Sequence, residues 1–88
     1  MDSLQDQITL LILFLLRKYV NKAILLINSS DNLIDDLHLD PMDVKYLVVK
    51  IENEFQIYFD DDEFNQIKTI SDITNLVIEK KNLVSSKV

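Results

Sequence analysis

Glycine, cysteine and tryptophan are missing from this 88-residue chain, and proline occurs once. Without Gly and with a single Pro there is little to interrupt helices and little to build the tight turns of a β-rich fold. An all-α fold follows. The absence of Cys excludes disulfide frameworks, thiolate zinc sites and cysteine nucleophiles, and suits a reducing compartment. With no phosphate-cradling Gly loop, nucleotide use is also disfavoured. Long apolar runs are lacking too: the most apolar stretch, Ile8 to Leu16, is nine residues, against the ~20 that span a bilayer. The segment before it carries Asp2 and Asp6 and no Lys or Arg, which is unlike a signal peptide. A cytoplasmic chain without a membrane span is expected.

What is present suits a small globular domain: 48% hydrophobic and 27% charged residues, an ordinary folding composition. The net charge of −6 is uneven. Residues 1–30 hold two acids and three bases, residues 31–63 eleven acids and two bases, and residues 64–88 two acids and four bases. A negative field centred on the middle third repels nucleic acid and anionic membrane and steers a basic protein partner.

Periodicity predicts a first helix from an N-cap at Ser3 to about Val20, with Leu4, Ile8, Leu11, Ile12, Leu15 and Tyr19 on one arc about 100° wide. Leu10, Leu13 and Phe14 fall outside that arc. They offer either a second interface, as a homodimer or lasting complex would use, or a wider internal core. Asn21 is a fair stop, with a partly apolar loop from Ala23 to Ile27 and a polar turn cluster from Asn28 to Asn32. The second helix has the clearest start: Asp40 as N-cap, Pro41 at the first helical position, Asp43 in the first turn. Val44, Leu47, Val48, Ile51 and Phe55 share its inner face. Asp60 to Glu63 and Phe64 make a short third helix with acids at its positive end. Thr69 and Asp72 form a capping box for a last helix that carries Ile73, Leu76 and Val77 inward. The helical domain is placed at residues 1–81, with 82–88 as a flexible C-terminal tail.

The run Asp35-Asp36-Leu37-His38-Leu39-Asp40-Pro41-Met42-Asp43 resembles the acyl carrier signature Asp-Asp-Leu-Gly-x-Asp-Ser-Leu-Asp. Leu47, Glu52, Glu54-Phe55 and Ile57 match that family's Leu…Glu-x-Glu-Phe-x-Ile without a gap. Ile67-Lys68-Thr69-Ile70 and Asp72 resemble its Ile-Lys-Thr-Val-x-Asp. The likeness covers about residues 27 to 78 and implies a bundle of three long helices and one short one. It also implies a lost function. In carrier proteins the serine after that Asp bears 4′-phosphopantetheine through a phosphodiester, and the matching residue here is Pro41. A pyrrolidine ring has no hydroxyl to esterify, so no covalent cofactor is expected.

The resemblance further implies that the exposed side of the second helix meets partner proteins. Met42, Tyr46 and Val49 lie about 140–200° away from Val44, opposite the core stripe. With Lys45 beside them and Glu52 at the far end, they form the candidate partner-binding set, although scattered surface apolars are common. His38 stands where the family has Gly. With no second His and no Cys, it reads as a surface loop residue and not as a catalyst. The Asp60–Glu63 cluster lacks the spacing of a calcium loop and reads as a solvated helix start.

No catalytic or metal-binding set emerges. The sequence is therefore read as a non-enzymatic adaptor for a modifying or acyl-transfer-type enzyme or a precursor peptide. It is similar to acyl-carrier-related proteins of bacterial peptide maturation systems that lack the attachment serine. A bacteriocin immunity-type bundle, which the apolar excess on the first helix would suit, and a working carrier using another serine are the alternatives.

Overall fold

A computed structural model describes residues 4–19 and 26–86, with side chains described as far as residue 81. Four helices follow in order: α1 Leu4–Leu16, α2 Pro41–Phe55, α3 Asp61–Asn65 and α4 Ile70–Ser86. The only extended pairing among the described residues is one antiparallel bridge, Asn32 to Thr69. The all-α expectation holds.

Each helix starts and stops where local chemistry allows. Asp60 caps α3 by accepting the Glu63 amide at 2.8 Å, and the Glu63 carboxylate accepts the Asp60 amide at 3.0 Å. The box before α4 is equally reciprocal: Asp72 Oδ2 accepts the Thr69 amide at 3.0 Å and Thr69 Oγ1 accepts the Asp72 amide at 3.1 Å. Helix α2 ends at Gln56, whose φ of 56° is left-handed, and Ile57 N–H reaches back to the Glu52 carbonyl at 3.1 Å. That is a Schellman-type stop made without glycine.

Helix α1 is shorter than the periodicity predicts. Its regular part ends at Leu16, where Lys18 and Tyr19 switch to bonds with Leu15 and Leu16, three residues back. This tighter spacing closes the last turn and ends the helix. The Ser3 cap, Val20 and the Asn21 stop lie outside the described residues. At the other end the correction is reversed: α4 runs to Ser86, so its backbone is helical where a tail from residue 82 was expected.

The core joins Ile8, Ile12 and Leu16 of α1, Val44, Leu47, Val48 and Ile51 of α2, and Ile70, Ile73 and Val77 of α4. Loop residues Ile27, Leu33, Leu37, Leu39, Phe59 and Ile67 complete it. Burying each such side chain contributes roughly 1.5–3 kcal/mol. The α1 stripe is rotated from the predicted arc: Leu16 is fully buried, whereas Leu4 is exposed and Leu11, Leu15 and Tyr19 only pack at the edge. Helix α1 leans chiefly on α4 and secondarily on α2, and that choice sets which flank faces inward. Between these helices the Thr9 and Thr74 hydroxyls approach to 3.4 Å, which gives the buried Thr74 a polar partner.

Candidate protein-binding face on helix α2

The chain enters α2 through a loop organised by Asn32. Its Oδ1 accepts the amides of Ile34 at 3.0 Å and Asp35 at 2.8 Å. Its backbone carbonyl accepts those of Asp36 and Leu37, and its own amide donates to Asp36 Oδ2 at 2.7 Å. Leu33 N–H donates to the Lys68 carbonyl and Ser71 N–H to the Ser29 carbonyl, tying this loop to the entrance of α4. Leu33, Leu37 and Leu39 anchor the loop in the core. His38 takes a φ of 61°, the left-handed region, and stays exposed. A residue with a Cβ is strained there by about 1 kcal/mol, which explains why the resembling family uses Gly.

That loop delivers Asp40 in extended conformation, its amide donating to Asp43 Oδ2 at 3.3 Å, and then Pro41 at the first helical position. The first helical bond, Val44 N–H to the Asp40 carbonyl at 3.1 Å, needs nothing from residue 41. Proline is thus conformationally at home, exposed, and chemically inert toward phosphoryl transfer.

Beyond it, Met42, Tyr46 and Val49 stand 59%, 57% and 41% exposed on the outer side of α2, with Lys45 exposed between them. The structure brings these four together as the sequence predicts. Glu52 stands at the edge of this set, lining a cleft with Lys45 and Val49. That side chain is half-buried, and its Oε2 accepts the Phe59 amide at 2.8 Å. Glu52 thus braces the α2–α3 turn while its side chain also lines the cleft. Helix periodicity placed it near the patch, but only the return of the chain at Phe59 shows where the carboxylate points.

Sequence reasoning also missed Tyr58, 72% exposed just after α2. With Lys45, Val49 and Phe64 it lines a shallow cleft of about 200 Å³ continuous with the patch. A second apolar cleft of about 150 Å³ opens beside Pro41, between Ile34, Val44 and Phe64. An aromatic between a helix end and an acidic run was the available signal for Tyr58.

The second set divides. Leu10 and Phe14 are 59% and 50% exposed, whereas Leu13 is half-buried against the core. In the acidic run, Asp60 and Glu63 hold the α3 cap, and Glu63 also pairs with Lys80 Nζ at 2.8 Å. Among the described residues no group of three or more His, Cys, Asp or Glu side chains is arranged to hold a metal ion, and no helix is long and apolar enough to cross a membrane.

The family model described as a phosphopantetheine attachment site matches residues 11–77. The acyl carrier proteins of Rickettsia typhi and Rickettsia prowazekii are each 31% identical over 80 residues, covering 91% of this chain and 93% of theirs. The solved structure of the acyl carrier protein from Enterococcus faecalis superposes with a TM-score of 0.75 at 17% identity, covering 86% of this chain and 96% of that one.

Proposed function

The chain belongs to the acyl carrier family, carrier-type proteins and not enzymes, and from that premise we propose that it is a non-carrier adaptor that cannot be loaded with phosphopantetheine. The observation that carries this reading is Pro41 at the first position of α2, where the resembling signature has the esterified serine. A phosphodiester needs an oxygen nucleophile on the side chain, and proline supplies none. What the domain retains is a surface: Met42, Lys45, Tyr46 and Val49 on the outer side of α2, extended by Tyr58. A partner enzyme or precursor peptide, as in bacterial peptide maturation in the cytoplasm, would bury these side chains. The acids of residues 52–63 would orient a basic partner on approach, with Glu52 itself acting through the fold.

Two measurements test it. Incubation with a promiscuous phosphopantetheinyl transferase and coenzyme A, read by intact mass, is expected to leave the native chain unchanged. Pull-down from the native host is expected to recover a partner through α2. The names of the Rickettsia relatives favour a second reading, a working carrier that uses another hydroxyl. A pantetheine arm on the native chain would establish that reading and overturn the adaptor.

A further inference from the structure

The outer side of α1 carries a pattern that the α2 surface does not explain. At 100° per residue, Asp6, Leu10, Leu13, Phe14 and Arg17 fall on one arc about 100° wide, facing away from buried Ile8 and Ile12. Asp6, Leu10, Phe14 and Arg17 are exposed, and Leu13 flanks the core. Arg17 lies just past the regular helix but keeps its register, because its amide donates to the Leu13 carbonyl at 3.2 Å. Its guanidinium covers the Phe14 ring at 4.2 Å from the centroid, a stacking that a planar guanidinium can keep while its N–H groups bond a carboxylate.

The four exposed members, Asp6, Leu10, Phe14 and Arg17, therefore read acid, apolar, apolar, base, with the backbones of Asp6 and Arg17 roughly 16 Å apart along the axis. The midpoint between Leu10 and Phe14 falls within one residue of the midpoint between Asp6 and Arg17. A stripe with that symmetry is complementary to itself when reversed. We propose that α1 is a self-complementary interface on which two copies of this chain pair antiparallel about a two-fold axis, Leu10 of each copy against Phe14 of the other and each Asp6 meeting the other copy's Arg17.

Charge favours this face over the others. The chain carries −6 overall, and eleven of its fifteen acids lie in residues 31–63, so two copies repel one another wherever those segments face each other. The α1 stripe holds one acid and one base. An isologous pair on α1 closes after two copies and produces no filament. It uses none of the α2 patch, so a dimer would present two partner-binding faces.

Sedimentation of the full chain at rising concentration tests the proposal, with far-UV circular dichroism as the check on folding. The wild-type mass is expected to move toward that of a dimer, less so at high salt. Asp6→Arg and Arg17→Asp are each expected to weaken the dimer at least about tenfold, and the two together to restore it. Leu10→Asp is expected to abolish it, and Tyr46→Asp/Val49→Asp to leave it unchanged, which separates this interface from the α2 reading. A chain monomeric at every concentration overturns the proposal, as does a double charge reversal no better than the single ones. Monomeric chain that instead co-sediments with phosphatidylglycerol vesicles would assign the stripe to a lipid surface and equally overturn it.

Discussion

The Glu52 carboxylate and the Phe59 amide, seven residues apart, are joined by a 2.8 Å hydrogen bond that closes the turn between α2 and α3. The bond makes Glu52 a fold residue within what reads, along the sequence, as an acidic docking strip. Glu52→Ala strands a part-buried N–H and is expected to cost about 1–3 kcal/mol, whereas Glu52→Gln keeps an acceptor and costs less. Chemical denaturation measures both. Partner capture by the folded Glu52→Gln protein is expected to match wild type, and a selective loss there would return Glu52 to the interface.

Adjacent residues on α2 separate surface from core. Tyr46 is 57% exposed and Leu47 is fully buried. Tyr46→Asp with Val49→Asp is expected to abolish pull-down while the helical signal and denaturation midpoint hold near wild type. Leu47→Ala is expected to cost about 2–5 kcal/mol, lowering the midpoint. If the Asp pair unfolds the domain, the outer face of α2 is carrying structure.

His38 holds its left-handed φ of 61° against the strain of its Cβ. His38→Gly relieves that strain but adds freedom to the unfolded chain, and the net is expected to be a stabilisation of at most about 0.5 kcal/mol in urea titration. Destabilisation would mean that the imidazole contributes more than its exposed position suggests.

Asp72 Oδ2 accepts two amides, Lys68 at 2.8 Å and Thr69 at 3.0 Å, beside the bridge from Thr69 to Asn32. Removing it in Asp72→Ala is expected to cost about 0.5–2 kcal/mol. Hydrogen exchange is expected to rise first at the Lys68 and Thr69 amides. Uniform acceleration across the molecule would show instead that the cap acts only through global stability.

Replacing Pro41 by Ser restores a hydroxyl at the first position of α2 without removing any helical bond. Pro41→Ser is expected to take up a pantetheine arm from coenzyme A and a promiscuous transferase, where the native chain does not. If the serine variant also stays unmodified, surfaces elsewhere on the domain have drifted from what the transferase grips.

Much of this was legible residue by residue. The Asp60–Glu63 and Thr69–Asp72 caps are local, because their partners lie three positions apart, and the inner face of α2 follows from a 3.6-residue period. The burial of Leu16, the hydrogen bond of Glu52 and the exposure of Tyr58 were not legible there, for a shared reason. Their surroundings come from distant chain: the lean of α1 on α4, the return of the backbone at Phe59, the cleft beside Val49.

Linear order alone was enough to establish an all-helical acyl carrier relative with proline heading its second helix, since caps, periodicity and spaced motifs are properties of neighbouring residues. Folding then chose among the candidates those properties left open. It buried Leu16, tied Glu52 to the Phe59 amide, half-covered Leu13, and left Leu10 and Phe14 in solvent, because burial and hydrogen bonding depend on which remote segments arrive beside a side chain.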